Sequence, residues 1–191
     1  MKLELAAASC SAILAFAAAS SSLPIAQAAS SNASPANTSI RDLMASIVDP
    51  SADVIWGASG TIVDKDQGTV ELFPKTAEGW LDVRRAAVRI IEGGNLLMTP
   101  GRLSAPPGAR SQTPGVELEP EQIVALINRN RAGFNSFAAA LRDLGWEALR
   151  ASEAKNTDAL LEVGGRMQEA CEGCHQTFWY PNAGAPYSNG R

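Results

Sequence analysis

The amino-acid sequence predicts an all-α fold: a four-helix bundle with one small β-hairpin inserted between the first and second helices. Apolar residues recur at spacings of three and four in four separate segments, and Pro- and Gly-rich stretches divide these segments. Hydrophobic residues make up 46% of the chain and charged residues 19%, which indicates a globular rather than a disordered protein. We therefore expect one domain with a continuous core.

Residues 1–28 are typical of a secretory signal peptide. An apolar, alanine-rich run over residues 5–19 is followed by the small-residue cleavage pattern Ala-Gln-Ala at 26–28. The run is too short, and too often interrupted by Ser, to span a bilayer comfortably. Cys10 lies inside the run rather than at its end, where a lipoprotein would need it. The sequence thus predicts an exported mature domain, residues 29–191, without a membrane span.

The first helix is predicted to begin near Thr38 or Ser39, because both are good N-cap residues. Its apolar face is formed by Ile40, Leu43, Met44, Ile47 and Val48. Asp49-Pro50 then predicts a kink or a restart, since Asp followed by Pro also suits the cap and first position of a new helix. The restarted helix is expected to end around residues 57–60.

The middle of the chain contains a hairpin signal, a helix and a long loop. Residues 61–63 and 69–72 flank an Asp- and Gly-containing turn, which predicts a β-hairpin or an ordered loop. The second helix is predicted to begin at Thr76 and to continue to Met98. Residues 99–119 contain four prolines and three glycines, so we expect a crossover loop there.

Two more helices are predicted in the C-terminal half. The third begins at Pro120 and shows an apolar periodicity without a break. Its face comprises Ile123, Ile127, Asn130, Phe134, Phe137, Leu141, Leu144 and Ala148. The fourth begins near Asn156, and its face comprises Leu160, Val163, Met167, Cys171, Cys174 and Phe178. Both cysteines are therefore predicted to lie on the buried seam of the bundle.

The sequence Cys171-Glu172-Gly173-Cys174-His175 is the most specific motif of the chain. Two thiols separated by two residues, with His directly after the second, form the pattern that attaches haem covalently. The thiols add across the two vinyl groups of the porphyrin, and residues three apart on a helix point to the same side. The imidazole of His175 is then expected to become the proximal iron ligand.

The residue counts favour haem over other uses of two cysteines. The chain has one histidine and three cysteines, of which Cys10 lies in the predicted signal peptide. A zinc site needs four ligands, and no further Cys or His exists to complete one. A thioredoxin-like dithiol should follow a strand in a βαβ unit, whereas this motif lies late in a helical pattern. A structural disulfide between Cys171 and Cys174 is the remaining alternative.

Charge and histidine content exclude further classes of function. The net charge of -4 and the pI near 5.1 disfavour nucleic-acid binding. They favour a redox partner protein with a basic or neutral surface. With the only histidine on iron, no general base of that type remains, so we expect no catalytic site.

Four helices with the haem motif on the last one resemble the class II cytochromes c, which include cytochrome c prime and its low-spin relatives. Class I cytochromes c carry the motif near the N-terminus and a Met ligand downstream, but no Met follows His175 here. The resemblance implies one covalent haem c on Cys171 and Cys174, near the C-terminal helix, and a periplasmic location. Class II proteins often form homodimers, and no sequence feature decides that point here.

In this family the first helix covers the distal side of the haem, and low-spin members place a Met there in a pattern like Arg-x-x-x-Met. This chain has Arg41-Asp42-Leu43-Met44, one residue shorter. Met44 is the candidate sixth ligand, because Met167 shares a helix with the cysteines and Met98 lies beside a Pro-Gly stop. A Met on an apolar face is also an ordinary core residue.

Two functions with haem follow from these alternatives. If Met44 and His175 both bind iron, the protein is a one-electron carrier, and the thioether ligand raises its reduction potential. If the distal position is empty and packed by Leu43 or Ile47, the iron is five-coordinate and binds nitric oxide or carbon monoxide. The carrier is the preferred interpretation. A third alternative, without haem, is a thiol-disulfide redox protein.

Overall fold

The computed structural model describes residues 38–181, and this part of the chain is mostly helical with one two-stranded antiparallel sheet. The predicted signal peptide at 1–28, the segment 29–37 and the tail 182–191 lie outside the described residues. Within residues 38–181, no helix combines the length and the apolar character that a bilayer crossing requires.

The helices and strands follow the predicted order. They are α1 (Ile40–Leu43), a π-helical turn (Met44–Val48), α2 (Asp49–Trp56), β1 (Thr61–Asp64), β2 (Gly68–Glu71), α3 (Ala77–Leu97), α4 (Pro120–Arg129), α5 (Arg131–Glu153) and α6 (Thr157–Phe178). The elements α1, π turn and α2 form one continuous helical stretch, which we call helix 40–56. The predicted hairpin is confirmed, with Ile62 paired opposite Val70.

Three helices begin where capping residues predict them to begin. The side chains of Ser39, Thr76 and Asn156 each accept a hydrogen bond from the backbone N–H three residues further on. Such a bond satisfies one of the amide groups that a helix N-terminus leaves without a partner. The residues between α3 and α4 form no helix, as the Pro- and Gly-rich crossover loop predicts.

The interruption predicted at Asp49-Pro50 is present as the start of a new helical element, because α2 begins at Asp49 with Pro50 in its first turn. The backbone stays helical there, and the irregularity is the π turn that directly precedes Asp49. There the N–H of Asp49 donates to the carbonyl of Met44, five residues before it. Pro has no N–H, and its ring crowds the carbonyl four residues earlier in a regular helix. A wider turn directly before Pro50 relieves that crowding.

The prediction of one continuous third helix is wrong, because the structure has two helices there, α4 and α5. Asn130 has a non-helical backbone (φ -128°, ψ 54°) and separates α4 from α5. Its side chain accepts a 3.1 Å hydrogen bond from the N–H of Gly133 and so caps α5. The apolar periodicity continues in phase across this break, which is why the sequence pattern concealed it.

One apolar core lies between the helices. α3 packs along α5, α6 packs on α5, and helix 40–56 packs on both α3 and α6. Glycines allow α3 and α5 to approach closely: a Cβ atom at Gly94 would lie 2.7 Å from the carbonyl oxygen of Ala138. The largest fully buried side chains include Ile55, Ile90, Ile123, Leu160, Met167 and Phe178.

Replacing Gly94 with Ala should therefore destabilise the protein. The added methyl group has no room against α5, and overpacking of this kind costs about 1–3 kcal/mol. Gly165 is the matched control, because a Cβ atom there meets no atom within 4 Å. Gly165→Ala should raise stability by up to about 1 kcal/mol through helix propensity. Urea unfolding of both variants measures the difference, and equal effects would contradict the packing argument.

Candidate haem site

A cavity of about 330 Å³ lies between helix 40–56, α5, α6 and the crossover loop. Small-molecule and cofactor sites commonly have volumes of roughly 300–1,000 Å³. The residues that line the cavity include Cys171, Cys174 and His175 from α6, and Met44 from helix 40–56. The structure thus brings all four candidate haem-binding residues, which come from opposite ends of the described chain, to one cavity.

The α6 wall presents the motif within the last turns of a regular helix. Cys171 and Cys174 are three residues apart, half-buried, and both are free thiols. The helix ends directly after the motif, where the N–H groups of Trp179 and Tyr180 donate to the carbonyl of His175 at 2.7 and 3.0 Å. His175 therefore lies in the last turn of α6, where it lines the cavity.

Burial controls the protonation of the two thiols. Desolvation raises the pKa of Cys171 to about 11, and the nearby negative charge of Asp49 acts in the same direction. Desolvation, with the charge of Cys171, raises the pKa of Cys174 to about 12. Both thiols are therefore protonated at neutral pH. Because thiolates rather than thiols attack disulfides, such a pair reacts slowly in thiol-disulfide exchange.

The opposite wall is formed by helix 40–56. Met44 is half-buried and lines the cavity, whereas Met98 and Met167 do not; Met167 is fully buried in the core. Leu43 and Ile47, which the sequence offered as packing for an empty distal position, do not line it either. Leu43 is buried in the core, and Ile47 approaches Gly93 of α3. Met44 is therefore the described methionine that faces the motif across the cavity.

Arg41 brings a positive charge to the same wall, three residues before Met44. Both terminal nitrogens of its guanidinium group lie 3.3 Å from the carbonyl oxygen of Arg110 in the crossover loop. Within residues 38–181, no carboxylate forms a salt bridge with Arg41, although other arginines do form such pairs. The charge of Arg41 thus remains available to an anionic group at the cavity mouth.

Aromatic side chains of α5 and α6 form the apolar floor of the site. Phe134 and Phe137 line the cavity, and each packs edge-on against Phe178, with ring centroids 5.4 and 6.3 Å apart. Phe137 also lies against the motif itself, because a Cβ atom at Gly173 would be 3.1 Å from its ring. The sequence placed these phenylalanines on a helix face but gave no sign that they border the motif.

Asp49 is a cavity residue that the sequence analysis assigned only to helix capping. Its carboxylate lies at the rim, and desolvation raises its pKa above the usual range. The neighbouring His175 opposes this shift in the pKa of Asp49, and the carboxylate of Asp53 adds to it. Gln112 and Glu117 of the crossover loop also line the cavity. These loop residues were missed because their contact with the site depends on the tertiary path of the loop.

Comparison with protein-family models, with curated proteins and with solved structures gives no match for the chain. Within the described residues, no three His, Cys, Asp or Glu side chains are grouped so that they could hold a metal ion by themselves. The interpretation of the site therefore depends on the motif and on the geometry of the cavity.

Replacing Asp49 with Asn should change the pH dependence of stability. A carboxyl group whose folded-state pKa is raised favours folding below its unfolded pKa, and this contribution is lost as pH rises through the folded pKa. Asp49→Asn should therefore raise the melting temperature at neutral pH, and the gain should disappear towards pH 3. Asp66→Asn, in the exposed hairpin turn, is the control. A gain that grows as pH falls would contradict the sign.

Proposed function

We propose that this protein is an exported c-type cytochrome that resembles class II members, and that it carries one electron on a single covalent haem c. Cys171 and Cys174 would hold the porphyrin, His175 would be the proximal iron ligand and Met44 the distal one. The observation that carries the proposal is the shared cavity: the motif and Met44 are more than 120 residues apart in sequence, yet both line it.

The residues of the cavity suit a haem in polarity as well as in position. An apolar floor of phenylalanines would contact the porphyrin face, since aromatic side chains supply large apolar area. Arg41 lines the cavity, and its guanidinium group would supply the positive charge that the propionates of a haem need. The lining thus offers apolar area for a porphyrin face and one cationic side chain for a propionate.

The two thiols would hold a haem through thioether bonds. Addition of a thiol to a vinyl group would place the sulfur on one carbon and the hydrogen on the other, so no group would leave and no oxidant would be consumed. The spacing of three residues places both sulfurs on the same side of α6. Gly173, between them, lets Phe137 close the floor behind the motif.

A haem bound here would supply the one-electron chemistry of its iron. The chain would supply an imidazole from α6 and a thioether from helix 40–56, and a thioether ligand raises the potential of the iron. Two protein ligands leave no open position for a substrate, so no catalytic role is proposed. Electron transfer then requires only that a partner approach the exposed rim of the site. The acidic chain favours a basic or neutral partner surface.

The other two functions receive less support from the structure. A five-coordinate, gas-binding haem needs a distal side without a ligand, whereas Met44 lines the same cavity as the motif and Leu43 and Ile47 do not line it. A thiol-disulfide protein needs a reactive thiolate, and burial raises the pKa of Cys171 to about 11. Such proteins usually lower that pKa instead.

The first test of this proposal concerns attachment. Protein from an exporting host should retain its haem after extraction with acidified organic solvent, because thioethers survive this treatment. Cys171→Ala and Cys174→Ala should each keep at most one thioether and show a shifted α-band in the reduced spectrum. If the haem of the unmutated protein extracts completely, covalent attachment is wrong.

The second test concerns the distal ligand. The oxidised protein should be low-spin, with the weak charge-transfer band of sulfur-to-iron bonding at the red edge of its spectrum. Met44→Ala should open the site and give high-spin iron that takes up carbon monoxide. Met98→Ala is the matched control, because Met98 does not line the cavity, and its spectrum should not change. High-spin iron in the unmutated protein would contradict the carrier and support gas binding.

A further inference from the structure

Helix 40–56 contains two sets of buried residues that an ideal α-helix would place on different faces. The buried apolar residues before the π turn are Ile40 and Leu43, and those after its start are Val48, Ala52 and Ile55. From Leu43 to Val48 the step is five residues. At ~100° per residue, an α-helix would turn the second residue about 140° away from the first. Both are nevertheless buried in the same core.

The π turn explains how this is possible. Its hydrogen bond joins the N–H of Asp49 to the carbonyl of Met44, five residues earlier. An α-helical hydrogen bond spans four residues, so this turn contains one residue more than an α-helical turn. Residues five apart across the turn then lie above each other. Leu43 and Val48 both face the core for this reason, and Met44 and Asp49 both face the cavity.

We infer that helix 40–56 contains one residue more than a regular α-helix would need to join its two buried faces, and that the π turn absorbs this residue so that Met44 faces the cavity. Ser46 suits the role of the surplus residue, since it is exposed and does not line the cavity. The π turn is then a positioning element that acts through Met44. The ligand role of Met44 rests on the proposed function, whereas the register argument rests on burial alone.

Deletion of Ser46 tests the inference. The shortened segment should become a regular α-helix with its core face and Met44 unchanged in direction. Pro50 would then stand in an ordinary helix interior, where it clashes with the preceding turn, so the deletion is made in a Pro50→Ala parent. The control is deletion of Asp53 in the same parent. Asp53 is likewise exposed, but it lies in the regular α2, where a missing residue puts Val48 and Ala52 out of register with Ile55 whether or not the π turn remains.

Haem-loaded parent and variants are compared by thermal unfolding and by optical spectrum. The Ser46 deletion should melt within about 5 °C of the Pro50→Ala parent and keep its spin state, whereas the Asp53 deletion should melt more than about 10 °C lower or fail to accumulate. The inference is overturned if the two deletions behave alike, if the Ser46 deletion does not fold, or if it folds with a changed spin state.

Failure of the proposed function is recognised separately. If Met44→Ala leaves the spectrum of the full-length protein unchanged, Met44 is not an iron ligand. The comparison of melting temperatures still decides whether Ser46 is the surplus residue, because that comparison measures the burial of the core face of helix 40–56. In a further outcome, the parent is low-spin and its spin state depends on Met44, but the Ser46 deletion has unchanged stability and high-spin iron. That result would support the proposed function and reject the positioning inference.

Discussion

The contact between helix 40–56 and α6 is the constraint on which the site depends. The indole N–H of Trp56 donates a 3.0 Å hydrogen bond to the carbonyl of Gly164, and the missing side chain of Gly164 makes room for the indole ring. At the other end of helix 40–56, the N–H groups of Ile40 and Arg41 donate to carbonyl groups of the crossover loop. The helix is thus held at both ends, and the cavity lies along the part between them.

Much of this arrangement could be predicted from the sequence, because local signals determine it. Caps such as Asn156 fixed the helix starts, apolar spacing identified the helix faces, and the motif identified the candidate ligands on α6. Two departures from regularity could not be predicted from the same signals. The break at Asn130 is concealed by a periodicity that stays in phase. Asp49-Pro50 indicates an interruption near the π turn, but the five-residue step from Leu43 to Val48 does not by itself reveal its type.

The remaining parts of the site depend on tertiary structure rather than on local pattern. Asp49 is a capping residue by its sequence context, and it lines the cavity because the π turn brings it onto the same side of the helix as Met44. Phe137 borders the motif because α5 approaches α6 at Gly173. Sequence periodicity predicts that a residue lies on the inner face of its helix. It does not predict which neighbouring helix or loop packs against that face.

The crossover loop closes one side of the cavity through its main chain. The carbonyls of Leu103 and Ser104 accept bonds from the start of helix 40–56, and the N–H of Leu118 donates to the carbonyl of Trp179 at the end of α6. Gln112, between these anchors, is exposed and joins the loop's hydrogen bonds through its backbone N–H. Its side chain can consequently be exchanged without loss of an anchor. The polarity of the cavity mouth can thus evolve, or be engineered, separately from the stability of the helical framework.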